Sequence, residues 1–179
     1  ACGTHVPLEV PSRSQNVSQQ PFYVFLFTPA FSGSSALQSF TATPPQVATL
    51  CPAKTWQCEG TWILIDKQIM TREQRWTPSI SNWTQALQEY EKVWSTAPNR
   101  AYIRVDKSPP NIARTSEIAE HFQKAKSQVA FISMTRSPCT DSSLSTESWK
   151  KYAWMQVHGR QTLRRGGHKH LEIKYEDLL

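Results

Sequence analysis

Ser32, Gly33, Ser34 and Ser35 follow closely on the apolar run Phe22 to Phe27, and together they are suited to holding an anion. The run reads as a strand buried on both faces, Thr28 to Ser32 as a turn, and the residues from about Gly33 to Thr43 as a helix. Backbone N–H groups at a helix start, the positive end of its macrodipole and serine hydroxyls together suit a phosphate or phosphosulfate. The alternative is that Ser32 to Ser35 only cap a helix. Two further polar turns follow strand-like runs. Asp106 to Asn111 comes after Ala101 to Val105, and Thr135 to Pro138 comes after Val129 to Met134.

The elements that must position these turns alternate between strand and helix. The expected fold is α/β, three-layered, with a mainly parallel central sheet flanked by helices. Ligands of such sheets bind beyond the carboxyl ends of the strands, so the turns at Thr28, Asp106 and Thr135 are expected on one edge. The first helix should turn Ala36, Leu37 and Phe40 inward and stop at Pro44-Pro45. Gln46 to Gly60 reads as a short strand and a loop, Thr61 to Ile65 as a strand or a helix start, and Asp66 to Pro78 has no clear pattern. An amphipathic helix capped by Ser81 or Asn82 carries Trp83, Leu87, Tyr90 and Trp94 on one face. Another runs from Thr115 or Ser116 to about Lys126. A long one covers roughly Leu144 to Leu163 through Trp149, Tyr152, Ala153, Gln156 and Val157, before a last strand at His170 to Ile173. Residues 1–21 read as an extended arm or linker, leaving 22–179 as one α/β domain.

Composition narrows the class. With 39% hydrophobic and 19% charged residues the chain has a globular balance, and no apolar run approaches the roughly 20 residues of a membrane span. The net charge of +6 favours anionic partners. The basic residues are not interleaved with aromatics in one block, which argues against nucleic acid. Cys2, Cys51, Cys58 and Cys139 contain no C-x-x-C pair and have no histidines at zinc spacing, so no metal is expected. Cys51 and Cys58 bracket a short loop and could pair in an oxidising compartment. The triplets Asn16-Val17-Ser18 and Asn82-Trp83-Thr84 point to the secretory pathway as well. The chain opens on Ala1, so a targeting segment or membrane anchor is expected, if anywhere, upstream of it.

Four pieces in order resemble the sulfotransferases that use 3′-phosphoadenosine 5′-phosphosulfate, especially the membrane-anchored glycan and tyrosylprotein branches and related algal proteins. They are Pro29-x-x-Ser32-Gly33-Ser34-Ser35-x-Leu37, Asp106-Lys107-Ser108-Pro109, Ile132-x-x-x-Arg136-x-Pro138 and Tyr175-Glu176-Asp177-Leu178. The resemblance implies a P-loop-NTPase-like fold and transfer of a sulfuryl group to a hydroxyl, most readily on a carbohydrate, in the Golgi lumen. It implies that Ser32, Gly33, Ser34 and Ser35 wrap the 5′-phosphosulfate and that Arg136 binds the 3′-phosphate with Ser143 or Ser145. Lys107 would stabilise the transferring group, and Glu59, which follows Cys58, would be the general base. Trp56 and Trp62 would either line an acceptor cleft or belong to the core.

The chain also departs from that family. Phe31 stands where a lysine or arginine normally precedes Ser-Gly, so Lys107 or Lys54 would have to supply the missing charge. Leu144 occupies the place of the 3′-phosphate serine, between Ser143 and Ser145. The sequence stops at the Tyr175 motif, whereas full sulfotransferases continue, so a C-terminal part is expected to be missing. These departures keep a catalytically impaired nucleotide-binding protein of the same fold as the alternative. A nucleotide kinase-like phosphotransferase is disfavoured because no G-x-x-x-x-G-K-[ST] occurs.

Overall fold

Six consecutive apolar and aromatic residues, Phe22–Phe27, make β1, the central strand of a five-stranded sheet. The structure, a computed structural model, describes residues 20–29, 33–53, 56–79, 82–97, 101–136 and 145–178. The remaining elements are α1 (Ser34–Thr41), β2 (Val47–Thr49), α2 (Gly60–Asp66), α3 (Trp83–Trp94), β3 (Ile103–Lys107), α4 (Thr115–Lys124), β4 (Gln128–Thr135), α5 (Thr146–Arg165) and β5 (Lys169–Lys174). Short 3₁₀ turns lie at Cys51–Ala53, Trp56–Cys58, Glu73–Trp76, Pro109–Arg114 and Tyr175–Leu178. Strand order is β2-β3-β1-β4-β5, and every pairing is parallel.

Side-chain alternation along β1 divides the domain into layers. Phe25 and Phe27 enter the larger core with Ile63 and Leu64 of α2, Tyr90 and Trp94 of α3, Phe122 of α4 and Leu163 of α5. Leu26 points to the other face, where it meets Leu37 of α1, Val105 and Met134. Helices thus flank the sheet on both sides, the α/β architecture that the alternating pattern implies. The connection leaving β1 runs over β3 to β2, whereas that leaving β4 runs outward to β5. This reversal beside the central strand is where a doubly wound sheet opens a crevice.

Local expectations are met at some positions and change at others. Phe40 is 69% exposed and Ala36 is also exposed, while Leu37 and Gln38 turn inward, because the short α1 presents one narrow side to the sheet. Thr61 to Ile65 is helical, as part of α2. The strand expected to end at Val105 continues through Asp106 and Lys107, which finish β3 and are buried with Ser108 and Asn111. The helix expected from Thr115 ends at Lys124, and Thr115 Oγ1 donates back to the carbonyls of Asn111 and Ile112. On α5 the buried positions are Gln156, Gly159 and Leu163, whereas Ala153 and Val157 face outward. Asn82 caps α3 by accepting from the Gln85 amide. Cys51 and Cys58 form a disulfide. Residues 1–19 of the expected arm lie outside the described residues. Among the described residues no helix is long and apolar enough to cross a membrane.

Candidate anion-binding and transfer site

Parallel pairing brings the ends of β1, β3 and β4 together. Leu26 is in register with both Lys107 and Ile132, so the turn after β1, the end of β3 and the end of β4 lie side by side. Lys107 is fully buried, and its Nζ donates to Ser35 Oγ at 3.3 Å. The same ammonium lies 3.6 Å from Glu59 Oε1. Glu59 Oε2 in turn accepts from an Arg75 terminal nitrogen at 2.6 Å. A continuous chain, Ser35–Lys107–Glu59–Arg75, therefore joins the helix after β1 to the start of α2. Burial pulls the Lys107 ammonium below its ordinary range, and the charge of Glu59 opposes that effect.

Glu59 is placed by the start of α2, and that start is anchored by β3. The Gly60 amide donates to Asp106 Oδ1 at 3.1 Å, and the Thr61 amide donates to Ser108 Oγ at 3.1 Å. Ser108 Oγ donates to Asp106 Oδ1 and Asn111 Nδ2 to Asp106 Oδ2, each at 2.7 Å. Two of the amides that a helix start leaves unpaired are thus capped from another element. Burial raises the Asp106 carboxyl above its ordinary range, although the Ser108, Asn111 and Gly60 donors work against the shift. Gly60 has to be glycine here. A Cβ would stand 2.6 Å from Tyr90 Oη and 2.7 Å from a Leu50 methyl.

Arg75 comes from the stretch with no sequence pattern. The 3₁₀ turn Glu73–Trp76 carries it, and Arg114 grips that turn by donating to the carbonyls of Gln74 and Arg75 at 2.7 Å each. Burial brings the Arg114 guanidinium down to about 10. Arg75 also lies over the Trp62 ring at 4.4 Å. Trp62 is half-buried and serves as its platform. The sequence had no signal for Arg75. A charged residue in an irregular segment acquires its partner only from the tertiary fold.

Two further expected site residues, Gly33 and Arg136, meet at Tyr175. Gly33 has φ +84°, and a Cβ there would overlap the Tyr175 ring. The Arg136 guanidinium lies over the same ring, 4.7 Å from its centre. Ser34 is buried at the start of α1, beside the exposed Ser35. Ser145 caps α5, and its hydroxyl accepts from the Ser148 amide at 3.2 Å. Ser32 and Ser143 lie outside the described residues, as do Phe31, Lys54 and Leu144. Among the described residues no group of three His, Cys, Asp or Glu side chains is placed to hold a metal ion. No protein-family model matches the chain, and no curated protein matches it.

Proposed function

We propose that the protein is a sulfotransferase that moves a sulfuryl group from 3′-phosphoadenosine 5′-phosphosulfate to a hydroxyl, most readily of a carbohydrate. The observation that carries this reading is the convergence of Ser35, Lys107 and Glu59 at one sheet edge. It supports the P-loop-like reading of the β1 turn, because a cation and a hydroxyl meet where the sheet opens. Gly33, Ser34 and Ser35, with Ser32 beside them, would receive the 5′-phosphosulfate. Arg136 would receive the 3′-phosphate with bidentate donors, alongside Ser145 or Ser143.

In the transfer the acceptor oxygen forms a bond to sulfur as the bond from sulfur to the 5′-phosphate oxygen breaks. The acceptor's proton passes to Glu59, and Lys107 neutralises charge on the departing phosphate, a task that Phe31 cannot perform. No residue of the chain is modified. The Cys51–Cys58 disulfide supports an oxidising compartment, which fits a Golgi-lumen location. Glycan acceptors are favoured over nucleic acid as partners.

One observation favours a second reading, a nucleotide-binding protein with impaired turnover. Glu59 is 2% exposed and already engaged by Arg75 at 2.6 Å, so it must be uncovered before it can serve as a base. Incubation with sulfur-labelled donor and a panel of glycans separates the two. Label transferred by the wild type and lost in Glu59→Gln supports the enzyme. Donor binding with no transfer to any acceptor supports the binding protein.

A further inference from the structure

We propose that Tyr175 is a positioning residue for the 3′-phosphate, acting through Arg136. This assignment rests on the donor-site reading above. Tyr175 opens the 3₁₀ turn Tyr175–Leu178 directly after β5 and packs against the cluster of Leu26, Leu37, Val105 and Met134. From that base its ring touches two elements of the site. Gly33 is held against it in a left-handed conformation that a residue with a side chain could not adopt without striking the ring. Arg136, just past the end of β4, lays its guanidinium over the ring at 4.7 Å.

The contact has a positional consequence. A guanidinium recognises phosphate through N–H groups that lie in its own plane, as a fork. A ring face 4.7 Å from the guanidinium carbon restricts where that fork can sit. Tyr175 therefore fixes the place of Arg136, and its contact with Gly33 sets the distance from there to the start of α1. The β5–turn junction becomes the ruler between the two phosphates of the donor. The phenol hydroxyl has no part in this, so phenylalanine should substitute fully.

Calorimetry on the full chain tests the assignment with two ligands, 3′-phosphoadenosine 5′-phosphate and adenosine 5′-phosphate. Both carry the 5′-phosphate, so the ratio of their affinities isolates the 3′ site. Tyr175→Phe should keep the wild-type ratio. Tyr175→Leu, which keeps the apolar packing but removes the aromatic face, should lower the ratio by about tenfold, the equivalent of one cation–π contact. Tyr175→Leu combined with Arg136→Ala should lower it no further than Arg136→Ala alone. A Tyr175→Leu variant that loses stability and affinity for both ligands equally, with the ratio intact, would overturn the assignment. If that variant does not fold, 3-fluorotyrosine at position 175 gives a second readout. Its fluorine resonance should shift with 3′-phosphoadenosine 5′-phosphate and not with adenosine 5′-phosphate, and equal shifts would contradict the proposal. A wild type that binds neither ligand overturns the donor-site reading, and this assignment with it.

Discussion

The ammonium of Lys107, at the end of β3, stands 3.3 Å from the hydroxyl of Ser35, in the first turn of α1. The two residues are 72 positions apart in the chain, and they meet because β1 and β3 are neighbours in parallel register. Lys107→Met keeps the length of the side chain but leaves Ser35 Oγ and Glu59 Oε1 without this partner. It should cost about 1–3 kcal/mol of stability in urea denaturation. Affinity for 3′-phosphoadenosine 5′-phosphate should fall by about tenfold or more, as for loss of a charge-assisted contact.

Ser108 couples that lysine to the start of α2. Its Oγ receives the Thr61 amide and donates to Asp106. Ser108→Ala leaves a buried amide and a buried carboxyl oxygen short of a partner, and should destabilise the domain by about 1–3 kcal/mol. Amide hydrogen exchange at Gly60 and Thr61 should quicken more than exchange in α3 or α4, because the loss is local.

The disulfide acts on the same helix start from the other side. It closes a loop between Cys51 and Cys58, seven positions apart, in which Gln57 and Cys58 have φ +51° and +59°. Glu59 follows immediately. Opening so short a loop removes a constraint worth about 2 kcal/mol on the chain-entropy account. Cys51→Ser with Cys58→Ser should lower the urea midpoint accordingly, and dithiothreitol should do the same to the wild type but not to the double variant.

His170 provides a pH signature. It stacks on Phe27 with ring centres 5.7 Å apart, and its Nε2 shares a hydrogen bond with Ser133 Oγ at 2.9 Å. Burial lowers its pKa below the ordinary histidine range; Glu172 opposes this, and Arg164 and Arg160 reinforce it. A histidine that stays neutral in the fold but protonates when unfolded costs stability as the pH drops. The contribution should be complete above about pH 6.5 and decline from there towards the lower folded value. Denaturation midpoints measured across that range should slope for the wild type and slope less for His170→Asn.

The order of elements was legible because its signals are local. Apolar runs mark β1, β3 and β4, and Gly or Pro punctuates the connections. Parallel topology by itself puts the ends of β1, β3 and β4 on one edge. Burial was less legible. Phe40 looked like a core residue at helical spacing, but only one side of α1 reaches the sheet. Lys107 and Asp106 read as members of a polar turn, and they instead end a central strand, buried together with their partners. Of those partners Ser108 is the next residue in the chain, whereas Glu59 and Arg75 come from segments that only the tertiary fold brings near. The Tyr175 motif was legible as letters, but its contacts with Gly33 and Arg136 were not.

Calorimetric titration of the wild type and of Arg136→Ala with 3′-phosphoadenosine 5′-phosphate bears most directly on the central claim. Saturable one-to-one binding to the wild type, weakened by about tenfold or more when the guanidinium is removed, is the predicted result. A folded wild type with no measurable heat of binding, or an affinity that Arg136→Ala leaves unchanged, would contradict it.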